Sequence, residues 1–137
     1  MKTLALVLLF IAADATAAPT TTTASEKNLQ HVILKEIIHS VKHLNSTLED
    51  KVKKMMVLQA VTHGHCTHEN LCKAATVLQE LSAETLGLEE KNWLLPRQLV
   101  AYTRNIQCKS PAPDHQIQLQ DLLQNIHYCA QKMFTKL

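Results

Sequence analysis

Glycine, proline and aromatic residues are scarce in this chain, and each shortage narrows what it can be. Only 2 of the 137 residues are glycine, 4 are proline, and aromatic residues make up 4%. The two glycines provide no loop suited to cradling a phosphate, and the sequence contains neither a nucleophile elbow nor an HExxH motif. We therefore predict no enzymatic activity and no cofactor, because the side-chain constellations that catalysis needs are missing.

A strong charge of one sign is missing as well. The formal net charge is +2, which is too mild to indicate nucleic-acid binding, and no basic stripe with interleaved aromatic residues is present. Alternating runs of Val, Ile and Thr are also absent, so the composition favours helices over strands. Because aromatic residues are few, the core must be built from Leu, Ile, Val, Met and Ala.

Only one long hydrophobic run occurs, and it lies at the N-terminus. Met1-Lys2-Thr3 gives a positive start, residues 4–13 are apolar, and Ala15-Thr16-Ala17 matches a cleavage site. We interpret residues 1–17 as a signal peptide, since the run is shorter than the about 20 apolar residues that span a bilayer. The rest of the chain is predicted to be secreted, extracellular and free of membrane insertion. Residues 18–25 are rich in threonine and are predicted to form a disordered arm.

Two helical patterns occupy the first half of the remaining chain. The first begins near Ser25, and its apolar side chains recur at three or four residues, as one buried helix face requires. These side chains are Leu34, Ile37, Val41, Leu44 and Leu48. The second pattern opens with Thr67 as its N-cap, has an apolar stripe at Leu71, Ala75, Leu78 and Leu81, and runs to about Leu86, with Gly87 as the residue that ends the helix.

Two further helical patterns follow. The third has apolar or aromatic side chains at Leu95, Leu99, Tyr102 and Ile106, and it is capped by Asn92 or begins at Pro96. The last helix opens at Asp114 or a nearby residue, and its stripe is close to a heptad seam. The members of this stripe are Leu119, Leu122, Leu123, Ile126, Cys129, Ala130, Met133 and Leu137.

The connections between these helices indicate a bundle topology. The first connection, roughly residues 49–66, is long, whereas the second is predicted to be short. The first connection contains a short apolar run at 55–61. This run is either a strand or the end of a helix, since periodicity alone does not distinguish the two. A four-helix bundle with a long first crossover is a known arrangement, and it makes the first two helices parallel.

Four cysteines follow the signal peptide, and in a secreted chain they predict two disulfides. In the crossover topology Cys66, Cys72, Cys108 and Cys129 all lie toward one end of the bundle. Cys72–Cys108 with Cys66–Cys129 fits this geometry, and Cys66–Cys108 with Cys72–Cys129 is its main rival. His63, His65 and His68 surround Cys66, but an oxidised Cys66 is not a metal ligand. We therefore interpret this segment as an exposed polar loop rather than a metal site.

Three stretches resemble the interleukin-4/interleukin-13 family of short-chain four-helix cytokines, with interleukin-4 the nearer of its two branches. Leu71-Cys72-Lys73-Ala74-Ala75-Thr76-Val77-Leu78 is similar to the start of the family's second helix. Leu34-Lys35-Glu36-Ile37-Ile38 is similar to its first helix, and residues 119–136 share the leucine pattern of its last. The resemblance implies an all-α, up-up-down-down four-helix bundle over residues 26–137. It also implies two long crossovers that can pair briefly as strands.

The family's cysteine pattern is matched only in part. Cys72–Cys108 carries over directly. The family's pair joining the N-terminus to the C-terminus has no counterpart, so Cys66–Cys129 rests on bundle geometry alone. Asn45-Ser46-Thr47 is an N-glycosylation sequon at the end of the first helix, and it predicts a glycoprotein.

The resemblance also implies a function. A family member acts as a monomer that brings together two type I cytokine receptor chains and triggers JAK–STAT signalling in immune cells. One chain is interleukin-4 receptor alpha-like, and the other is the common gamma chain or an interleukin-13 receptor-like chain. The competing class is a secreted helical carrier that holds a small apolar ligand between its helices.

The residues that match the family's receptor contacts are few. For the alpha chain they are Glu36 on the first helix and Arg97 on the third, with Arg104 as the alternative register, since it lies seven residues further on the same face. For the second chain they are Ile38, Lys42 and Phe134. Without the resemblance, Glu36 has the simpler interpretation of a solvated charge beside a core stripe.

Overall fold

The computed structural model describes residues 27–136. The predicted signal peptide, the threonine-rich arm, Glu26 and Leu137 lie outside these described residues. The fold is mostly helical, with one small antiparallel sheet of two strands. In chain order the elements are α1 (27–47), α2 (Asp50–Lys53), β1 (Met56–Leu58), α3 (His68–Gln79), a 3-10 turn (Glu90–Asn92), α4 (Leu95–Tyr102), β2 (Gln116–Gln118) and α5 (Leu119–Lys136).

The predicted apolar stripes form the core. Each stripe is buried because a helix can remove only one face from water, and the faces of α1, α3, α4 and α5 meet. The predicted stripe positions that are buried are Leu34, Ile37, Val41, Leu44, Leu48, Leu71, Ala75, Leu78, Leu95, Leu99, Tyr102, Leu119, Leu122, Leu123, Ile126, Cys129 and Ala130. Met133 is half-buried and packs against this core.

The beginning of α3 confirms the predicted N-cap, but its end is earlier than predicted. The hydroxyl of Thr67 accepts a hydrogen bond of 3.1 Å from the backbone N–H of Asn70. The helix ends at Gln79 rather than near Leu86. The break has a local cause, because Ser82 accepts a hydrogen bond from the N–H of Thr85 and so caps a separate turn.

Gly87 ends that separate turn rather than α3 itself. It has a φ of +71°, and its N–H donates to the carbonyl of Glu84. The next N–H, that of Leu88, donates to the carbonyl of Ala83. These two bonds are the Schellman pattern that closes a helical turn with a left-handed residue. The connection between α3 and α4 is therefore longer than predicted.

The bounds of α4 and α5 also differ from the predictions. Asn92 belongs to the 3-10 turn and does not cap α4, which begins at Leu95 with Pro96 in its first turn. Ile106 lies beyond the end of α4 at Tyr102. Asp114 does not open α5, because the residues that follow it are drawn into β2 by pairing with β1.

The two strands tie the first and last connections together. Val57 pairs with Ile117 at the centre of the sheet, so the apolar run at 55–61 contains the strand Met56–Leu58 and is not the end of a helix. The register is continued into α5 by the N–H of Leu119, which donates to the carbonyl of Met55 at 2.7 Å. α5 therefore starts at a point fixed by the strand before it.

Contacts between the helices show their relative directions. His31 near the start of α1 contacts Phe134 near the end of α5, at 4.2 Å between ring centroids. Ser40, further along α1, donates to Gln98 in the first half of α4 at 2.7 Å. α1 is therefore antiparallel to α5. Ile33, which precedes Ser40 on α1, lines a cleft with Ala101 and Tyr102 at the end of α4, so α1 is antiparallel to α4 as well. The architecture is compatible with a four-helix bundle.

Both disulfides of the favoured prediction are confirmed, and the rival pairing is excluded. Cys66–Cys129 joins Cα atoms 5.1 Å apart and closes 63 residues, while Cys72–Cys108 joins Cα atoms 6.1 Å apart and closes 36 residues. The entropy removed from the unfolded chain by loops of these lengths is worth about 4 kcal/mol for each bridge. This contribution to stability is important in a small domain, because a small core buries less of the chain's surface.

Gly87→Ala is expected to lower the free energy of unfolding by about 1 kcal/mol, because a side chain disfavours the left-handed conformation required there. The measurement is urea-induced unfolding followed by circular dichroism. Gly64→Ala is the matched control, since a Cβ at Gly64 meets nothing within 4 Å and no positive φ is required. Equal losses for the two variants would contradict the role given to the Gly87 backbone.

Two candidate interaction surfaces on the first helix

The seam between α1 and α4 carries the predicted glutamate. Ser40 reaches Gln98 from one end of this seam, and at the other end Ile33 and Arg104 line a small cleft of about 50 Å³. Glu36 follows Ile33 by three residues and precedes Ser40 by four, so it shares their helix face and lies between the two contacts. Its side chain is exposed and forms no ion pair with any residue in 27–136.

The two candidate arginines lie differently with respect to this seam. Both are exposed, but Arg104 lies in the turn after the end of α4 at Tyr102, so the two do not share a helix face as predicted. Arg104 lines the cleft shared with Ile33 of α1, and it also lines a cleft with Cys72 and Thr76 of α3. Arg97 instead lines a cleft of about 320 Å³ with Trp93 and the segment after α3. The structure therefore places Arg104, but not Arg97, beside the helix that carries Glu36.

Two exposed apolar side chains beside Glu36 were missed by the sequence reasoning. Leu29 is 45% exposed and Val32 is 53% exposed. They precede Glu36 by seven and four residues, so the three side chains share one face of α1. The sequence did contain a signal for them, because both are apolar residues at the beginning of the helix that do not belong to the predicted core stripe. Aliphatic groups around a charge can exclude water from a contact that the charge makes with a partner.

The seam between α1 and α5 collects the other three predicted residues. The ring of His31 stacks on Phe134, and its Nε2–H donates to the Phe134 carbonyl at 3.2 Å. Ile38 and Lys42 follow His31 at spacings of seven and eleven, which keeps all three on the side of α1 that meets α5. Ile38 and Phe134 are half-buried against the core, whereas Lys42 is exposed.

His127 is a member of this second seam that the sequence reasoning missed. Its Nε2 is buried and has no hydrogen-bond partner among the described residues. Burial of the imidazole lowers the pKa of His127, and the positive charge of Lys42 lowers it further. The sequence could have indicated His127, because it precedes Phe134 by seven residues and therefore lies on the same face of α5.

Asn45 also lies toward the second seam, three residues after Lys42. It is half-buried in the last turn of α1, and the Thr47 hydroxyl of its sequon donates to the carbonyl of His43 at 2.7 Å. Glycosylation at Asn45 remains a prediction. A sugar there would stand one turn beyond Lys42 and would border the second seam.

Two of the three histidines around Cys66 pack against aromatic rings. His63 contacts Tyr128 at 4.3 Å between ring centroids, and His68 stacks on Tyr102 at 4.8 Å. Cys66 is bonded to Cys129 and so offers no thiolate. Within residues 27–136 no group of three potential metal-ligating side chains is close enough to hold an ion.

No protein-family model matches the sequence, and no curated protein matches it. Of the helices in the described part of the chain, none combines the length and apolar character needed to cross a bilayer.

The second seam is expected to make stability depend on pH through His127. Because folding lowers the pKa of His127, the unfolded state binds more protons, and stability falls as pH drops below about 6.5. The measurement is the free energy of unfolding in urea at about pH 7.5 and about pH 5.5. His127→Gln should lose less stability on acidification than the wild type.

Lys42→Met separates the two causes of this effect. It removes the cation and leaves the burial of His127 in place, so the loss on acidification should shrink without disappearing. Identical pH dependence in the wild type and His127→Gln would show that His127 does not contribute.

Proposed function

We propose that this chain is a secreted cytokine of the interleukin-4/interleukin-13 family that brings together two receptor chains at the cell surface. The two chains are an interleukin-4 receptor alpha-like chain and a common gamma or interleukin-13 receptor-like chain. Their association activates JAK–STAT signalling in immune cells. The observation that carries the proposal is the position of α1, which contributes exposed side chains to two different seams, one with α4 and one with α5.

The connectivity supports this proposal. α1 is antiparallel to α4 and α5, and Cys72–Cys108 joins the first turn of α3 to the segment after α4, so α3 is antiparallel to α4. These directions correspond to the up-up-down-down order implied by the family resemblance. The pairing of β1 with β2 corresponds to the brief strand contact between the family's crossovers.

The first proposed receptor surface is centred on Glu36. With no cation paired to it in the described part of the chain, its carboxylate is available to a basic or hydroxyl group of the partner. Leu29 and Val32 would exclude water around that contact, which strengthens a charged hydrogen bond. Arg104 adds a charge of opposite sign on the α4 side of the same rim, and opposed charges favour one orientation of the partner.

The second proposed receptor surface follows the seam of α1 with α5. Lys42 supplies an exposed charge, and the half-buried side chains of Ile38 and Phe134 supply apolar area. Because the two seams lie on different sides of α1, one partner can occupy each seam. A single rigid helix could thus hold two receptor chains at a fixed separation.

The competing function, a carrier of an apolar ligand, gains no support from the core. Large side chains from α1, α3, α4 and α5 fill the core, including Leu34, Leu71, Leu99 and Leu122, each with 0% exposure. A carrier would have to open this packing, at a cost of the order of a few kcal/mol for each large side chain displaced.

Glu36→Ala is expected to weaken binding to an interleukin-4 receptor alpha-like chain by at least about 2 kcal/mol, or roughly 30-fold. The loss follows from removing the carboxylate at the centre of the first surface. Surface plasmon resonance with immobilised receptor is the measurement, and circular dichroism verifies folding.

Glu84→Ala is the matched control, since this exposed glutamate lies in the connection after α3, away from α1. It should bind like the wild type. Unchanged affinity of a folded Glu36→Ala variant would remove Glu36 from the proposed surface, and no binding by the wild type to any such receptor chain would reject the proposed function.

Lys42→Glu is expected to retain alpha-chain binding and to lose recruitment of the second chain, because it reverses the exposed charge of the second seam only. The measurement is capture of the second receptor chain by the preformed complex of the cytokine with the alpha chain. Lys51→Glu on α2 makes the same change in charge at an exposed site and should leave capture unaffected. Loss of both binding steps in Lys42→Glu would show that the seams are not separate surfaces.

A further inference from the structure

A groove of about 620 Å³ lies at the end of the molecule where α3 begins and α5 ends. One wall is formed by His65 and His68 in and before the first turn of α3. The opposite wall is formed by Lys132 and Lys136 in the last turns of α5, and Tyr102 contributes from the end of α4. We call this feature the terminal groove.

The terminal groove is lined by two lysines and one glutamate among otherwise uncharged residues. Lys132 and Lys136 are exposed, are one turn apart, and form no ion pair with any carboxylate in the described residues. The glutamate is Glu69, which lies 4.0 Å from Lys73. The groove therefore favours an anionic ligand that can reach both lysine ammonium groups.

The acidic residues of the chain are concentrated elsewhere. Four of them lie in the connection between α3 and α4 or next to it, at Glu80, Glu84, Glu89 and Glu90. α3 begins at the terminal groove and carries this connection at its other end. This connection therefore carries more acidic side chains than the lining of the groove, which has Glu69 alone. The difference favours the groove over the connection as the place where a polyanion binds.

The two lysines of the terminal groove lie outside both proposed receptor surfaces, although Tyr102 also lines the cleft of the first seam. No residue of α1 lines the groove. On α5, Lys136 follows Phe134 by two residues, and two residues turn a helix by about 200°, so these side chains face nearly opposite directions. A ligand in the groove would leave the seams of α1 open.

We propose that the terminal groove binds sulfated polysaccharide of the glycosaminoglycan class. Its volume is far larger than one sulfate requires, so several units of a chain can lie along it. Sulfates would contact the ammonium groups of Lys132 and Lys136, and the stacked rings of His68 and Tyr102 would provide a rigid wall. A protein secreted toward cell surfaces meets this class of polyanion there. The inference therefore rests on the secretion proposed above but does not require receptor binding.

The test is calorimetric titration with a heparin-derived octasaccharide at about 50 and about 150 mM sodium chloride. The double variant Lys132→Gln with Lys136→Gln should bind at least about tenfold more weakly than the wild type and should depend less on salt. Lys51→Gln with Lys54→Gln is the matched control, because it removes the same charge from exposed positions outside the groove. The control should stay within about twofold of the wild type.

Each other outcome overturns the proposal in a distinct way. Equal weakening of the two double variants would mean that the protein's overall charge, not the groove, attracts the polysaccharide. Equal binding of a desulfated octasaccharide would exclude sulfate as the recognised group. Tighter binding to phosphatidylserine vesicles than to the octasaccharide would assign the groove to a membrane surface. Receptor binding by the Lys132→Gln, Lys136→Gln variant should match the wild type, so failure here is distinguishable from failure of the proposed function.

Discussion

The two disulfides at one end of the molecule are the constraint on which the rest of the fold depends. Cys66–Cys129 attaches the loop before α3 to the buried side of α5, and Cys72–Cys108 attaches the first turn of α3 to the segment after α4. α3 has 12 residues and α4 has 8, lengths at which isolated helices are marginal in water. The bridges hold these short helices where their apolar faces can meet the longer α1 and α5. The opposite end is held by the pairing of β1 with β2, which is weak in isolation.

This arrangement explains which parts of the fold could be predicted from the sequence. The stripe of α1 and that of α5 are long and regular, so burial of Leu34 or Leu122 follows from spacing alone. Thr67 was recognisable as a cap because its hydroxyl has a local partner three residues away. The topology placed all four cysteines toward one end and favoured the observed pairing without excluding its rival, while the family resemblance implied Cys72–Cys108.

The errors arose where a nonlocal contact competes with a local pattern. Residues 116–118 have no strong strand character, and they become β2 only because Met55 and its neighbours offer a partner across 60 or so residues of chain. The stretch from Gln79 to Leu86 keeps helical spacing, yet the side chain of Ser82 caps a new turn there. His127 was missed for a related reason, since its buried Nε2 and the nearness of Lys42 depend on how α1 packs against α5. The nearness of Arg104 to the helix that carries Glu36 likewise depends on a nonlocal contact, the packing of α1 beside the end of α4.

In α1 the residues that hold the helix against the core differ from the candidate binding residues, so substitutions can test binding without disturbing the fold. The stripe residues Ile37 and Val41 have no exposed surface, and they fix the helix against the core. Glu36 and Lys42 are exposed neighbours of that stripe, so replacing either removes few packing contacts. Phe134 is different, because its ring is stacked on His31 and packed against the core, and its loss would change stability together with any binding. A rigid helix with separate inner and outer roles can therefore change its binding partners by substitutions on the outer faces while its core stripe stays the same.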